Sequence, residues 1–237
     1  MSARYAVYFV PPADDPLSRS AAAWLGRDAF TGAVLAPPQN PHLSQGEIAY
    51  HAAPARRYGF HATMKAPFRL AGGETEASLI NAFTAFCAAQ APIDLPGLRI
   101  GQIDGFFALL PQAADPALER FAGEVVTAFE PFRAPTTDAE IERRNPDALT
   151  PVQLGYLCRW GYPHVFDQFR FHMTLTGRVG GAERERVARA LDAHFTPALA
   201  APFAIASLAL FIEPEAGAPF SVLSFRPFRM AADRKTA

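Results

Sequence analysis

The sequence predicts an α+β fold of two antiparallel-sheet lobes around a shared cleft, with helices outside. Three observations carry that expectation. First, the phrases Phe60-His61-Ala62-Thr63-Met64-Lys65 and Phe171-His172-Met173-Thr174-Leu175-Thr176 nearly repeat one another almost half the chain apart, so each half supplies one copy. Second, strand-like and helical stretches alternate irregularly, without a glycine-rich phosphate loop or the regular alternation of a doubly wound parallel sheet. Third, the segment 132–147 is rich in Pro, Thr, Asn and charge, as expected of an inter-lobe crossover or a flap over the cleft. Residues 1–237 are therefore expected to form a single bilobed domain.

Each element has a local cause. Tyr5–Val10 is β-prone and stops at Pro11-Pro12. Asp15-Pro16 opens a helix with Leu17, Ala21, Trp24 and Leu25 on its buried stripe. After a Pro-rich loop at 37–41, Ser44 and Glu47 make a capping-box pattern for a short helix to about His51. The first His-Thr strand is expected at 57–66, and Gly72-Gly73 breaks the chain before a helix carrying Leu79, Ile80, Phe83, Phe86 and Cys87. Strands follow near 98–100 and 106–110. Asp115-Pro116 and Thr150-Pro151 each open a further helix. The second His-Thr strand is expected at 168–179, then a helix at 183–195, strands near 205–212 and 221–225, and a frayed tail after Met230.

A chain of 237 residues with half its residues hydrophobic and 20 Phe can bury a substantial core. The 22 basic and 23 acidic side chains nearly cancel, which argues against long nucleic acid as a partner and leaves room for a local basic pocket. No stretch has the length of a membrane span or the apolar core of a signal peptide, so a cytoplasmic location is expected. Cys87 and Cys158, both in apolar helical patterns, are expected to be buried free thiols.

The chemistry rests on the two phrases. Alternate residues of a strand share a face. Arg57, Gly59, His61, Thr63 and Lys65 then line one face, and Arg170, His172, Thr174, Thr176 and Arg178 another, each backed by apolar neighbours. Facing one another, they would set two imidazoles at the centre of a pocket with cations at its edge. Opening a cyclic phosphodiester needs a base for water and an acid for the departing alkoxide, and two histidines can supply both near neutral pH. His61 and His172 are the candidate acid–base pair. Thr63 and Thr174 are candidate donors to the non-bridging oxygens, and Lys65, Arg170, Arg57 and Thr176 candidate substrate-binding groups. No cofactor or metal is required; metal-ligand spacing of the His-x₃-His or Cys-x₂-Cys kind is lacking. His42, His51, His164 and His194 lack the shared strand setting. Tyr5, Tyr8, Tyr58, Tyr162 and Trp160 are expected to serve packing, with at most one of Tyr5 and Tyr8 facing the cleft. Arg143 and Arg144 are expected to be a solvated surface pair.

These residues resemble the two-histidine (2H) phosphoesterase superfamily, in which two His-x-Thr/Ser motifs meet in the cleft of a bilobal, pseudo-twofold α+β fold. The motif positions carried over are His61, Thr63, His172 and Thr174. The wider wording, Arg57-Tyr58-Gly59-Phe60-His61-Ala62-Thr63-Met64-Lys65-Ala66-Pro67-Phe68, Arg159-Trp160-Gly161-Tyr162-Pro163, the stretch 167–177, Tyr5 to Pro12 and Trp24-Leu25-Gly26-Arg27-Asp28, is similar to 2H-like proteins encoded beside carbon–phosphorus lyase genes. That resemblance implies a metal-independent phosphoesterase acting on a small phosphate ester, with ribose 1,2-cyclic phosphate 5-phosphate as the candidate substrate. The alternatives are an RNA-end or 2′,3′-cyclic nucleotide phosphodiesterase, or a nucleotide- or phosphate-binding module without turnover. No protein partner is implied.

Overall fold

The structure, a computed structural model, describes residues 3–200 and 202–229; the tail expected to fray after Met230 lies outside them. In chain order the elements are β1 (Arg4–Phe9), α1 (Pro16–Leu25), α2 (Gln45–Arg56), β2 (Ala62–Phe68), α3 (Glu76–Ala88), β3 (Ile93–Leu95), β4 (Leu98–Ile103), β5 (Phe106–Pro111) and α4 (Pro116–Ala128). Then come α5 (Asp138–Glu142), α6 (Pro151–Trp160), β6 (Met173–Arg178), α7 (Glu183–Leu199), β7 (Phe203–Ile205), β8 (Ser207–Glu213) and β9 (Ser221–Pro227). The fold is α+β.

Helix starts follow local chemistry. Asp15 Oδ1 accepts the Leu17 N–H at 2.7 Å, with Pro16 in the first turn where its missing N–H is harmless. Reciprocal capping boxes open α2 at Ser44 and Glu47, and α6 at Thr150 and Gln153. Another opens α5 at Thr137 and Glu140, a short helix inside the segment expected to be an inter-lobe crossover or a flap. That segment is tied down: Arg69 Nη2 pairs with Glu140 at 3.0 Å, and Leu70 bridges to Arg133.

Seven strands form one antiparallel sheet in the order β4-β5-β6-β2-β1-β8-β9, with β3 and β7 paired separately. Two sub-sheets are legible within it. β2, β1, β8 and β9 make one and β6, β5 and β4 the other, and they meet through a single residue pair, Ala62 with Met173. α3 packs on β8 and β9 and α4 on β2, while α1 and α2 pack on β6 and α7 on β4. The main core therefore joins both halves, from Trp24, Ile48 and Leu191 to Phe83, Phe129 and Leu210. Trp24 Nε1 donates to the Leu175 carbonyl at 3.0 Å, fixing α1 to β6. A smaller cluster, including Tyr8, Phe211 and Phe220, lies on the opposite face of β1 and β8.

Two expectations are corrected. The His-Thr strands begin at Ala62 and Met173, not at 57 and 168: α2 runs on to Arg56 and Gly59 turns the chain at φ +74° before the first, and a 3-10 turn at Phe166–Gln168 precedes the second. A Cβ there would also lie 2.6 Å from Ala29 Cβ, so glycine is required twice over. Of the two free thiols Cys87 is buried, but Cys158 sits on the exposed side of α6. Among the described residues no helix is long and apolar enough to cross a membrane.

Candidate active site

The single Ala62–Met173 pair sets the site. In an antiparallel pair the neighbours of these residues point to the opposite face. Continuing the register places His61 beside Thr174 and Thr63 beside His172, all four on the face away from Ala62 and Met173. Those two residues are buried, and the four polar side chains line one cavity of about 430 Å³. Two phrases distant in sequence thus meet about an approximate twofold axis.

The imidazoles are oriented alike. His61 Nδ1 donates to the Gly59 carbonyl at 2.9 Å, and His172 Nδ1 donates to the Arg170 carbonyl at 2.7 Å. With Nδ1 as donor, each Nε2 is left for the cavity, free to accept a proton when neutral and to give one when charged. Each ring has an aromatic neighbour. His61 stacks on buried Tyr8 with centroids 3.9 Å apart and planes at 25°, while Phe106 lies tilted against His172 at 5.7 Å.

Burial pushes the His61 imidazole down to about 4; the Gly59 carbonyl opposes that shift and the charge on His172 adds to it. Burial also lowers His172, opposed by its bond to the Arg170 carbonyl and by Asp104. The charge on His172 is among the influences that lower His61, which places the rings within electrostatic reach of each other.

The proposed binding residues divide. Arg170 is exposed and lines an adjoining cavity of about 280 Å³ that shares Thr63 and His172 with the central one. Thr176 touches the central cavity but is 1% exposed; its hydroxyl accepts the Phe107 N–H at 3.0 Å and donates to the Gly177 carbonyl at 2.7 Å. Lys65 points elsewhere. β1 meets Thr63 through Tyr8 but Lys65 through Val7, so a bulge inserts an extra residue and breaks the two-residue alternation. The Lys65 ammonium lies buried against α4, donating to the Val126 carbonyl at 2.9 Å and to Glu130 at 2.8 Å. Arg57 ends α2 rather than sitting on a strand, and its guanidinium pairs with Glu213.

Other residues enter that local spacing had not singled out. Tyr8, Tyr58, Tyr162, Arg4 and Arg144 line the central cavity, with the Arg144 guanidinium 5.0 Å above the Tyr162 ring. For Tyr8 the usable signal was strand alternation, which separates it from Tyr5, whose hydroxyl donates to Glu76 at 2.9 Å. Arg144 is exposed, as expected, and its place at the cavity rim had no local signal. The cavity continues past Arg4, Tyr58 and Arg144 into a cleft of about 260 Å³ also lined by Arg57, Arg69, Arg133 and Arg143. Among the described residues Glu213 pairs with Arg4 and Arg57, Glu140 with Arg69, and Glu130 with Lys65 and Arg133. Six arginines line the cleft and these three carboxylates pair with four of them, leaving Arg143 and Arg144 without an ion pair among the described residues. The cleft is strongly positive within a nearly neutral chain. No group of three or more His, Cys, Asp or Glu converges among the described residues.

Comparison with known proteins adds a family and relatives. Residues 63–221 match the family described as "Protein of unknown function (DUF1045)". The chain is 37% identical over 235 residues to a Janthinobacterium sp. (strain Marseille) protein named ribose 1,5-bisphosphate phosphokinase PhnN, covering 98% of this chain and 52% of that one. A protein of the same name from Laribacter hongkongensis (strain HLHK9) is 35% identical over 224 residues, with 92% and 50% covered. The chain spans about half the length of the curated relatives it matches. Among solved structures, E. coli LigT complexed with 3′-AMP aligns at 13% identity over 96% of this chain and 99% of that one, with a TM-score of 0.42. A phosphoesterase aligns at 14% identity over 95% and 98%, with a TM-score of 0.39.

Proposed function

This chain belongs to the DUF1045 family, and from that premise we propose that it is a phosphoesterase that opens a small cyclic phosphodiester by paired-histidine acid–base catalysis. The observation that carries the proposal is the Ala62–Met173 register, which brings His61, Thr63, His172 and Thr174 to one cavity.

The phosphoryl group lies between the imidazoles, its non-bridging oxygens accepting from the Thr63 and Thr174 hydroxyls. His61, kept neutral by burial, takes a proton from water through Nε2 as the water oxygen bonds to phosphorus. The bond from phosphorus to the ring ester oxygen breaks, and that oxygen takes the proton from His172 Nε2. The product is a phosphate monoester beside a free hydroxyl, and exchange with solvent resets the pair. An incoming phosphate favours the protonated form of the imidazole it contacts, which loads His172 when substrate binds.

The substrate assigned is ribose 1,2-cyclic phosphate 5-phosphate. Two observations support it: the relatives' name refers to a ribose bisphosphate, and the cavity opens toward cations able to hold a second phosphate. Arg144 and Arg143 take that role here in place of Lys65 and Arg57, which are committed to internal carboxylates. The kinase named in the relatives belongs to proteins about twice as long, and this chain has no glycine-rich Gly-x₄-Gly-Lys-Ser/Thr phosphate loop. Purified protein assayed with this ester and with 2′,3′-cyclic nucleotides tests the reading. Turnover of the ribose ester, lost in His61→Ala and His172→Ala, is expected. Absence of turnover on any cyclic ester, or its persistence in both variants, rejects catalysis.

A further inference from the structure

Arg27 is a buried cation without a partner. It follows α1 and is 8% exposed. Its Nη1 is shut off from solvent and meets no acceptor, and among the described residues no ion pair, side-chain hydrogen bond or ring face engages the guanidinium. Asp28 beside it spends one carboxylate oxygen on the Phe30 N–H at 2.7 Å. Burial pushes Arg27 below its ordinary value, with Asp28 opposing. Yet a guanidinium does not give up its proton inside a protein, so it cannot escape the cost of burial by neutralising.

Arg27 opens on a cavity of about 270 Å³, separate from the catalytic one. Its walls are mostly apolar: Val10, Ala22, Ala29, Phe30, Leu35 and Phe60. Of the other polar groups there, Ser18 donates to the Pro11 carbonyl at 3.1 Å and Arg19 donates through Nη1 to the Asp14 carbonyl, while the second carboxylate oxygen of Asp28 carries no hydrogen bond and opposes an incoming anion less than Arg27 and Arg19 together attract it. A buried charge wants an opposite charge that brings hydrogen-bond acceptors with it. The volume falls short of the usual range for drug-sized ligands, which limits the occupant to a few heavy atoms beyond its head group.

We propose that this cavity binds a small organic oxyanion, its head group on Arg27 and its short apolar body against Ala22, Leu35 and Phe60. The site backs onto the turn that carries His61. A Cβ at Gly59 would stand 3.9 Å from Arg27 Nη1, and the Gly59 carbonyl is what orients the imidazole. Binding here does not depend on the catalytic reading.

Thermal unfolding of the full chain tests the site with butanoate and propylphosphonate as the two anion types, butanamide as the neutral isostere and sodium chloride matching ionic strength. A saturable rise in Tm with at least one anion, none with butanamide, is expected. Arg27→Gln abolishes the rise and His172→Ala keeps it. If Arg27→Gln does not fold, Ala22→Leu fills the cavity without touching the guanidinium and also abolishes it. The proposal is overturned if neither anion shifts the wild type, if butanamide does as well, if the shift survives the folded cavity variants, or if it disappears in His172→Ala.

Discussion

Tyr8 lies flat against His61, their ring centroids 3.9 Å apart, and the Tyr8 ring is 1% exposed. This contact joins β1 to the turn that carries His61 and keeps water from one side of the imidazole. It makes Tyr8 a positioning residue for the proposed base.

Its role separates from that of its hydroxyl. Tyr8→Phe keeps the ring and is expected to leave kcat within about threefold. Tyr8→Leu frees and hydrates His61, lowering kcat by roughly tenfold or more, since misplacing a reacting group is costly. The same variant raises the His61 pKa from about 4 toward the ordinary imidazole value, because burial is the cause first removed. Steady-state kinetics across pH read both effects.

The pH dependence of kcat/KM follows from the directions of the two shifts. His61 must be neutral, so activity rises with pH through about 4. His172 must be protonated, so activity falls as pH passes its value, which burial sets below the ordinary imidazole figure. A bell with both limbs on the acid side of neutrality is expected for the free enzyme. A flat profile between about pH 5 and 9 is incompatible with two imidazoles acting as acid and base.

Lys65 is expected to matter for stability and not for substrate. Its ammonium is 3% exposed and bound to Glu130 and the Val126 carbonyl, facing α4. Lys65→Met leaves Glu130 with Arg133 as a remaining partner. A loss of about 1–3 kcal/mol, read as a fall of several degrees in Tm, is expected with KM unchanged. A raised KM at unchanged Tm would return Lys65 to the substrate site.

Arg144 is the converse case. Arg144→Met is expected to raise KM for ribose 1,2-cyclic phosphate 5-phosphate by about 10–100-fold, the value of one charge-assisted contact, and to leave the unphosphorylated cyclic ester unaffected. Equal effects on both esters would place Arg144 at the reacting phosphate instead.

What the sequence made legible was local. Helix starts at Asp15-Pro16, Ser44, Asp115-Pro116 and Thr150 depend on residues within one turn. Alternation along a strand, a local rule, set each His with its Thr on one face, and the meeting of the two phrases was what the family resemblance implied. What stayed hidden depended on partners far along the chain. The bulge that turns Lys65 away exists only in the pairing of β2 with β1. The commitment of Arg57 needs Glu213, more than 150 residues later. Arg144 reaches the cavity because α5 and its tether to Arg69 fold the linker back. Gly59 could have warned that the strand starts late, since a glycine between two bulky aromatic residues, Tyr58 and Phe60, suits a positive φ as well as a strand.

The central claim is that both imidazoles contact one phosphoryl group, and an NMR titration with inorganic phosphate tests it most directly. The ring resonances of His61 and His172 are followed in one sample as phosphate is added. Both are expected to shift along a single binding curve with a common Kd and one phosphate per chain. Movement of only one ring, or of the two with separate constants, would contradict it.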